Sequence, residues 1–271
     1  LADELAAAGV DAFIIQDWAL ATMDLPLPLH ASTQMDNRTP EQLHLLACSG
    51  FSRAILAREL GLADIHRLHQ AEPELELEAF VHGALCVSLS GRCYASQWCT
   101  GRSANRGECA QMCRLAYDLE DAAGHTVVKD KYLLSLKDMN RSQWLEDMLD
   151  AGIRSLKIEG RLKDVGYVKN TTALYRRKLD VILQRRTEYT RVSRGRCNIP
   201  FEPNSMKSFN RGFTSYFLHG TKGDEDIASI HTPKSVGTPV GRAKEVKRKR
   251  LLVSGLASFS NGDGLCYFDS V

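Results

Sequence analysis

Apolar segments typical of β-strands alternate with amphipathic segments typical of α-helices from residue 1 to about residue 190. This alternation predicts a parallel sheet covered by helices, because consecutive parallel strands need a crossover connection, usually a helix. Five such strands indicate an α/β fold that is part of a TIM-type (β/α) barrel whose first units precede this chain, with an open doubly wound sheet as the competing arrangement. The predicted strands cover 11–17, 27–33, 51–59, 75–83 and 153–160, and the predicted helices cover 1–9, 39–50, 62–71, 143–152 and 163–186. On the last helix, the apolar face is predicted at Val165, Val168, Thr172, Tyr175, Leu179 and Ile182.

Two departures from the alternation divide the chain. Residues 86–140 hold a cysteine-rich run and then a predicted hairpin with its turn at 122–124, inserted after a strand where barrel enzymes place functional loops. After Arg196 the alternation stops, and Gly, Pro and short apolar runs follow, with a turn signal in NGDGL at 261–265. We therefore expect a barrel portion at 1–196 with a cysteine-rich insertion at 86–140, and a small, truncated β-rich domain at 197–271.

Composition and charge limit the class of protein. The 271 residues are 44% hydrophobic and 25% charged, as in ordinary globular proteins. The chain contains no apolar run of the roughly 18 residues that span a bilayer, and its start lacks a secretory leader, so we expect a cytoplasmic protein with no membrane partner. The net charge is only +2, but residues 154–196 hold thirteen Lys and Arg against four Asp and Glu, and KEVKRKR follows at 244–250. These basic runs predict either solvated faces or a surface that follows RNA phosphates.

The cysteines are too sparse for a disulfide scaffold, and five of the eight lie in one run. We name residues 85–114 the cysteine segment. Within it, Cys86, Cys93, Cys109 and Cys113 are spaced C-x6-C-x15-C-x3-C, and four thiolates are the usual ligands of a [4Fe–4S] cluster. A zinc ion takes the same ligands, and structural or disulfide cysteines are a third interpretation. Cys109 and Cys113 would share one face if CAQMCR forms a helical turn.

Polar side chains follow the predicted strands, where the active sites of barrel enzymes lie. Alternation along each strand places these side chains on one side, and we expect them to share an end of the barrel with the cysteine segment. Any single histidine among them is more often structural than catalytic. The candidates for catalysis are Glu159, His82 and Lys157, and the candidates for substrate binding are His30, Ser32, Gln34, Arg58, Glu78 and Arg161.

The strand before the cysteine segment carries a family signature. Residues 78–96 follow the order Glu-x-Phe-x2-Gly-x2-Cys-x4-Gly-x-Cys-x2-Ser, which resembles the signature of the U32 peptidase or collagenase family and departs from it only at Ala95. The runs GRSANRGECAQMCR and SLKIEGRLKD resemble the next two blocks of that family, so the resemblance covers about residues 1–190.

The resemblance implies iron–sulfur proteins that hydroxylate RNA or quinone precursors without molecular oxygen, and the branch it resembles most makes 5-hydroxycytidine in 23S ribosomal RNA. In that hypothesis Glu159 or His82 transfers protons, and Lys157, Arg58 and Arg161 bind an anionic hydroxyl donor or an RNA phosphate, with prephenate as the donor that the resemblance implies. A metal-dependent collagenase-type peptidase and a non-catalytic scaffold that carries a cluster are the alternatives. The sequence contains neither H-E-x-x-H nor G-x-S-x-G, which weighs against the peptidase.

Overall fold

The chain forms a mixed α/β structure around a seven-stranded sheet. The computed structural model describes residues 1–193, 195–220, 226–248, 250–255, 261 and 264–267. Its strands are β1 Phe13–Ile15, β2 Leu29–Ala31, β3 Phe51–Ile55, β4 Glu76–Ala84, β5 Tyr117–Glu120, β6 Thr126–Lys131, β7 Asp138–Asn140, β8 Ile153–Ile158, β9 Phe213–Thr214, β10 Arg242–Lys247 and β11 Arg250–Ser254. Its α-helices are α1 Ala2–Ala7, α2 Trp18–Ala21, α3 Pro40–Cys48, α4 Leu62–Ala71, α5 Ala95–Thr100, α6 Leu145–Asp150 and α7 Val165–Arg185. Single 3₁₀ turns lie at Thr33–Met35, Ala104–Arg106, Met112–Arg114 and Ser205–Lys207.

The five strands predicted from the sequence are the parallel part of the sheet. They lie side by side in the order β1, β2, β3, β4, β8. Beyond the end of β3, the short strand β7 pairs antiparallel with β4, and β9 pairs with β7. The predicted parallel sheet is thus confirmed, and its order is compatible with a partial (β/α) barrel.

Helices cover one face of this sheet. Apolar residues recur at helical spacing along each helix and so form one side that packs against the strands. Helix α3 begins at Pro40 because of a capping box. The Thr39 hydroxyl accepts the Gln42 N–H, and the Gln42 side chain accepts the Thr39 N–H. Leu43 and Leu46 of α3 share one core with Ile65 and Leu68 of α4 and with alternate residues of β4. Full burial of a leucine or isoleucine side chain contributes roughly 1.5–3 kcal/mol, so this layer fixes the sheet against its helices.

Strand β3 is shorter than the predicted segment 51–59. After Ile55 the chain leaves the strand, and the Leu56 N–H still donates to the Glu78 carbonyl while the Ala57 N–H donates to the Asn37 carbonyl. The Asn37 side chain also donates to the Ile55 carbonyl, which holds this exit. Arg58 therefore lies in a connecting loop, and strand alternation does not determine its direction.

The predicted apolar face of α7 is partly wrong. Val165, Val168 and Thr172 are exposed. Tyr175 and Ile182 are buried as predicted, and the helix also buries Tyr167, Thr171 and Ala173. The large tyrosine rings decide this orientation, because the Tyr175 hydroxyl donates to the Val81 carbonyl and thereby docks the helix on β4.

The chain after β4 contains the predicted hairpin, formed by β5 and β6 around a turn in which Asp121 accepts from the Ala123 and His125 N–H groups. Further on, β9 joins the main sheet, and Tyr216 and Leu218 pack in its cores. Strands β10 and β11 form a separate antiparallel hairpin. The division at residue 196 stays a prediction, and the turn signal at 261–265 lies partly outside the described residues.

Gly83 allows β4 and β8 to approach each other at the end of the sheet. Its φ is +108°, and a methyl group there would lie 2.5 Å from the Glu159 carbonyl oxygen. We expect Gly83→Ala to lower the free energy of unfolding by about 2 kcal/mol or more, through both strain and overlap, measured by urea unfolding. Gly124→Ala is the control, because φ is +83° there and nothing lies within 4 Å of the added methyl group. Equal losses in the two variants would contradict the close approach.

Candidate functional site

The cysteine segment lies on the loops that follow the parallel strands. The Ser90 N–H donates to Glu59 Oε1 at 2.5 Å, and the Arg58 N–H donates to the Ser90 hydroxyl at 3.2 Å. Gly91 adopts a φ of +74°, and a methyl group there would lie 2.2 Å from the Gln34 carbonyl oxygen. The segment therefore begins in close contact with the loops that follow β2 and β3.

The strand β8 reaches the same segment from the other side. Arg161 Nη1 donates to the Gly107 carbonyl at 3.2 Å, and the Arg161 N–H donates to Glu159 Oε1 at 2.7 Å. Glu159 in turn is held by its own N–H, which donates to the His82 carbonyl. Gln34, Arg58, Glu159 and Arg161 are thus brought to the edge of the sheet that carries the cysteines, as the alternation of strands and helices predicted.

Three hydrogen bonds tie the two halves of the cysteine segment together. The Cys93 N–H donates to Asn105 Oδ1 at 3.3 Å, and the Ala110 N–H donates to the Ser96 hydroxyl at 3.0 Å. Arg114 Nη2 donates to the Leu85 carbonyl at 2.8 Å, directly before Cys86. These contacts bring the neighbourhoods of the four predicted ligands together although 27 residues separate Cys86 from Cys113 in the sequence.

The pKa of Cys113 also shows that the four predicted ligands lie near one another. Burial raises the pKa of the Cys113 thiol, the neighbouring Arg114 lowers it, and the nearby Cys86, Cys109 and Cys93 raise it again. All four thiols are free, and the Gln111 N–H donates to the Cys109 sulfur at 3.3 Å. Cys109 and Cys113 do not share a helical turn, since Gln111 has a φ of +56° and only a 3₁₀ turn follows it.

The donor set fits an iron–sulfur cluster by its chemistry, because four neighbouring cysteines offer four thiolates and a cluster requires that number. The sulfurs do not form a ready coordination shell. Within the described ranges, no three His, Cys, Asp or Glu side chains are arranged to hold a metal ion. Since metal binding and the final arrangement of a site are coupled, the thiols would have to close around the bound group.

A second group of predicted residues lies deeper, on the inner face of the sheet. Glu78 is 6% exposed and binds Arg53 Nη1 at 3.1 Å, Ser155 Oγ at 2.6 Å and Lys157 Nζ at 3.2 Å. Burial alone would raise the pKa of Glu78, but the hydrogen bond from Ser155 and the charges of Lys157 and Arg53 lower it overall. Burial, and next the charge of Arg53, lowers the pKa of His30, which lies beside this network.

Lys157 and Glu78 therefore neutralise each other within the fold. Lys157 also lies over the Phe80 ring, 5.7 Å from its centroid. Ser32 has a local role, because its hydroxyl accepts the Gln34 N–H at the start of a 3₁₀ turn. Their roles in catalysis or substrate binding stay predictions, and these contacts show that each of the three also supports the structure.

His82 is enclosed by aromatic side chains of α7 and β9. The pairing of β4 with β8 shifts register between Phe80 and His82, and this irregularity breaks the strict alternation on which the prediction rested. The ring is 2% exposed, with the rings of Tyr167, Tyr175 and Phe213 centred within 6.0 Å. Burial lowers the pKa of His82 to about 4, so the imidazole is neutral near pH 7. These surroundings favour the structural interpretation of His82 over proton transfer.

Sequence reasoning missed three arginines that organise the site. Arg53 carries a signal, because a charged residue within a buried strand needs a partner. Arg114 and Arg211 carry none, because each is one basic residue in an irregular segment. Arg114 Nη1 binds Ser135 Oγ and the Leu136 carbonyl, both at 2.7 Å, and Arg211 Nη1 binds Asp138 Oδ1 at 3.0 Å.

The two basic runs differ in how free their charges are. On α7, Arg176 pairs with Asp180, and Arg177 pairs with Glu202 while donating to the Ile199 and Phe201 carbonyls. These two arginines therefore also support the fold, and the predicted phosphate-binding surface on α7 stays a prediction. In the β10–β11 hairpin, the described basic residues are exposed, and Lys247 pairs with Glu245. Those residues are Arg242, Lys244, Lys247, Arg248 and Arg250, while Lys249 lies outside the described residues.

Comparison with known proteins defines the class of this α/β protein with a cysteine segment at its strand ends. The sequence model of peptidase family U32 matches residues 1–228, and the chain belongs to that family. No solved structure matches the chain. In the part of the chain that the structure describes, no helix is both long and apolar enough to cross a membrane.

Relatives with different names share this family. The 23S rRNA 5-hydroxycytidine C2501 synthase of Escherichia coli (strain K12) is 48% identical over 266 residues, which are 98% of this chain and 40% of the relative. The tRNA hydroxylation protein P1 of Bacillus subtilis (strain 168) is 31% identical over 79% of this chain and 50% of its own length. A collagenase of Porphyromonas gingivalis is 33% identical over 78% of this chain and 60% of its own length. The chain therefore spans about half the length of the curated relatives it matches.

Substitution of Glu78 tests how much its ion pairs contribute to the free energy of unfolding. Glu78→Gln removes the buried counter-charge of Lys157 and leaves Arg53 paired with the more exposed Glu76, so we expect the free energy of unfolding to fall by about 1–3 kcal/mol at pH 7. Because the pKa of Glu78 is lowered in the folded state, the wild-type advantage is present above the ordinary carboxyl pKa of 4.5 and disappears as pH falls through the folded value.

Urea unfolding of both proteins from pH 7 to pH 3 measures this difference. Glu74→Gln removes an exposed carboxylate on the turn before β4 and should match the wild type at every pH. A loss in Glu78→Gln that does not shrink at low pH would show that the carboxylate charge is not what stabilises the network.

Proposed function

We propose that this protein is an RNA-modifying enzyme that hydroxylates a nucleobase, with 5-hydroxycytidine in 23S ribosomal RNA as its product. The observation that carries the proposal is the 48% identity to the Escherichia coli synthase across 98% of this chain. The relatives named as tRNA hydroxylation proteins support the same type of reaction on RNA. An enzyme that acts on ribosomal RNA works in the cytoplasm, where we place this protein.

In this proposal, Cys86, Cys93, Cys109 and Cys113 hold a [4Fe–4S] cluster. Their support is the contact between both halves of the cysteine segment and the electrostatic influence of three of these thiols on the fourth. When bound, the cluster supplies electron transfer at the edge where the parallel strands end. Zinc at the same thiols is the alternative that metal analysis separates from it.

The residues of the chain itself supply binding and proton transfer. Glu159 lies at the end of β8 beside the cysteine segment, and its carboxylate is oriented by the Arg161 N–H. We assign proton transfer to Glu159, which, unlike His82, is not enclosed by aromatic rings. Arg58 and Arg161 contact the cysteine segment from two sides and offer positive charge to an anionic hydroxyl donor, for which we propose prephenate.

The predicted ligand set is tested by single cysteine substitutions. We expect Cys113→Ser to contain less iron than the wild type and to lose the visible absorbance of the cluster after anaerobic purification, because only three of the four required thiolates remain. Cys99→Ser is the matched control, since Cys99 is an exposed thiol on α5 of the same segment and is not among the proposed ligands. Loss of iron from Cys99→Ser with retention in Cys113→Ser would identify a different fourth ligand. Zinc in place of iron in the wild type would favour the zinc site.

The reaction is tested in a strain that lacks this protein. We expect its 23S ribosomal RNA to lose 5-hydroxycytidine, measured by mass spectrometry of nucleosides, and the wild-type gene to restore it. Glu159→Gln keeps the size of the side chain and should retain iron, but should restore hydroxylation at a rate about 10²–10⁴-fold lower.

Two other outcomes lead to other conclusions. Normal modification by Glu159→Gln would assign Glu159 to the structure alone. A deletion strain with every hydroxylated nucleoside intact, together with cleavage of a collagen-like peptide by the purified protein, would favour a peptidase, as the name of the Porphyromonas relative suggests.

A further inference from the structure

The cysteine segment exposes two large aromatic side chains. Trp98 on α5 is 91% exposed, and Tyr94 at the start of the same helix is 63% exposed. Tryptophan is usually well buried, and its indole ring is among the side chains that most often carry binding energy at interfaces. An indole that the fold leaves outside therefore indicates a contact surface.

Trp98 is held in place by the helix that carries it. Ser96, which is 1% exposed, anchors α5 because its hydroxyl accepts the Ala110 N–H and its carbonyl accepts the Thr100 hydroxyl at 2.7 Å. Trp98 is two residues further along this short helix, and its backbone N–H donates to the Tyr94 carbonyl at 2.9 Å. The backbone that carries the ring is thus ordered, so ligand binding would not have to order this helix.

A positively charged cleft adjoins the anchor of this helix. Its volume is about 460 Å³, and Ala110 and Cys109 form part of its wall. Arg102, Arg114 and Arg211 also line it. Among the described residues, no carboxylate pairs with Arg102 or Arg114, whereas Arg211 pairs with Asp138. The cleft therefore has an excess of positive charge next to a proposed cluster ligand.

We propose that Trp98 and this arginine-lined cleft together bind single-stranded RNA, with a base stacked on the indole and a neighbouring phosphate in the cleft. The inference rests on the proposed function, which supplies RNA as the substrate. A flat aromatic face beside arginines matches the alternation of bases and phosphates along one strand. A duplex fits poorly, because its bases are already stacked on each other and present no free face to the indole.

The location gives this surface a specific task. Because Cys109 lines the same cleft, RNA bound here lies directly beside the proposed cluster. The surface holds nucleotides that flank the reacting base, so it contributes to the choice of substrate. The exposed basic hairpin β10–β11 is a separate source of phosphate contacts.

Binding of a fluorescent single-stranded RNA to the iron-loaded protein tests the stacking contact. Loss of one base–aromatic contact weakens binding on the order of ten-fold, and we expect this from Trp98→Ala. Trp98→Phe should recover most of the affinity, because a phenyl ring still offers a face for stacking. Iron content and the urea midpoint of each variant identify any loss of folding.

The salt dependence of the same binding tests the cleft. Arg102→Gln should reduce the slope of log affinity against log salt concentration by about 0.7, the value for one phosphate contact on a single strand. Arg67→Gln is the control, since Arg67 is an exposed arginine on α4, away from the cleft, and should leave the slope unchanged. A duplex of the same length should bind more weakly than the single strand and show no effect of Trp98→Ala.

The outcomes separate this inference from the function on which it rests. If Trp98→Ala binds single-stranded RNA as the wild type does and restores 5-hydroxycytidine fully in the deletion strain, the RNA surface is elsewhere and the proposed function stands. If polyglutamate binds as tightly as RNA and Trp98→Ala weakens the binding of neither polymer, the cleft is a general polyanion surface and the inference is wrong. If the wild type itself restores no hydroxycytidine, the proposed function fails first.

Discussion

Backbone carbonyl groups near the end of β4 need hydrogen-bond donors that the sheet alone does not supply. Parallel pairing with β3 stops where β3 ends, and a buried carbonyl without a donor costs about as much as a lost hydrogen bond. Arg141, which is 1% exposed, donates to the carbonyls of Phe80, Arg58 and Ser215, and Arg114 donates to those of Leu85 and Leu136. Two arginines thus join β4, the loop after β3 and the later chain at the place where the cysteine segment begins.

The sequence predicted the parts of the structure that follow from periodicity. The five parallel strands and helices α3, α4 and α6 have clear apolar spacing, and Gly50 and the Thr39 cap mark the limits of α3, whereas the short helix α2 was not predicted. The errors arose where one large side chain or one irregularity outweighs periodicity. Tyr167 lies outside the predicted apolar face of α7 and is nevertheless buried, with its hydroxyl donating to the Glu159 carbonyl. A register shift in β4 precedes His82, whose ring packs against Tyr167 and Tyr175 of α7.

The candidate site was predictable to the same degree. Residues close in sequence to a strand end, such as Gln34, Arg58 and Arg161, do contact the cysteine segment, because the connectivity of a parallel sheet determines where its strands end. Arg211 and Asp138 meet although 73 residues separate them, and neither has a distinguishing pattern. Contacts of that kind depend on the path of an irregular chain, about which composition and spacing contain no information.

The neutral hydrogen-bond partners of Arg114 also have an electrostatic consequence for the four thiols. Bringing thiolates together is unfavourable because like charges repel, and burial of Cys113 adds to that cost. A carboxylate paired with Arg114 would cancel the guanidinium charge, whereas carbonyl and hydroxyl oxygens satisfy its N–H groups and leave its charge available. Burial still raises the pKa of the Cys113 thiol overall, and the adjacent Arg114 opposes that rise, which moderates the cost of the thiolate form that a metal centre requires.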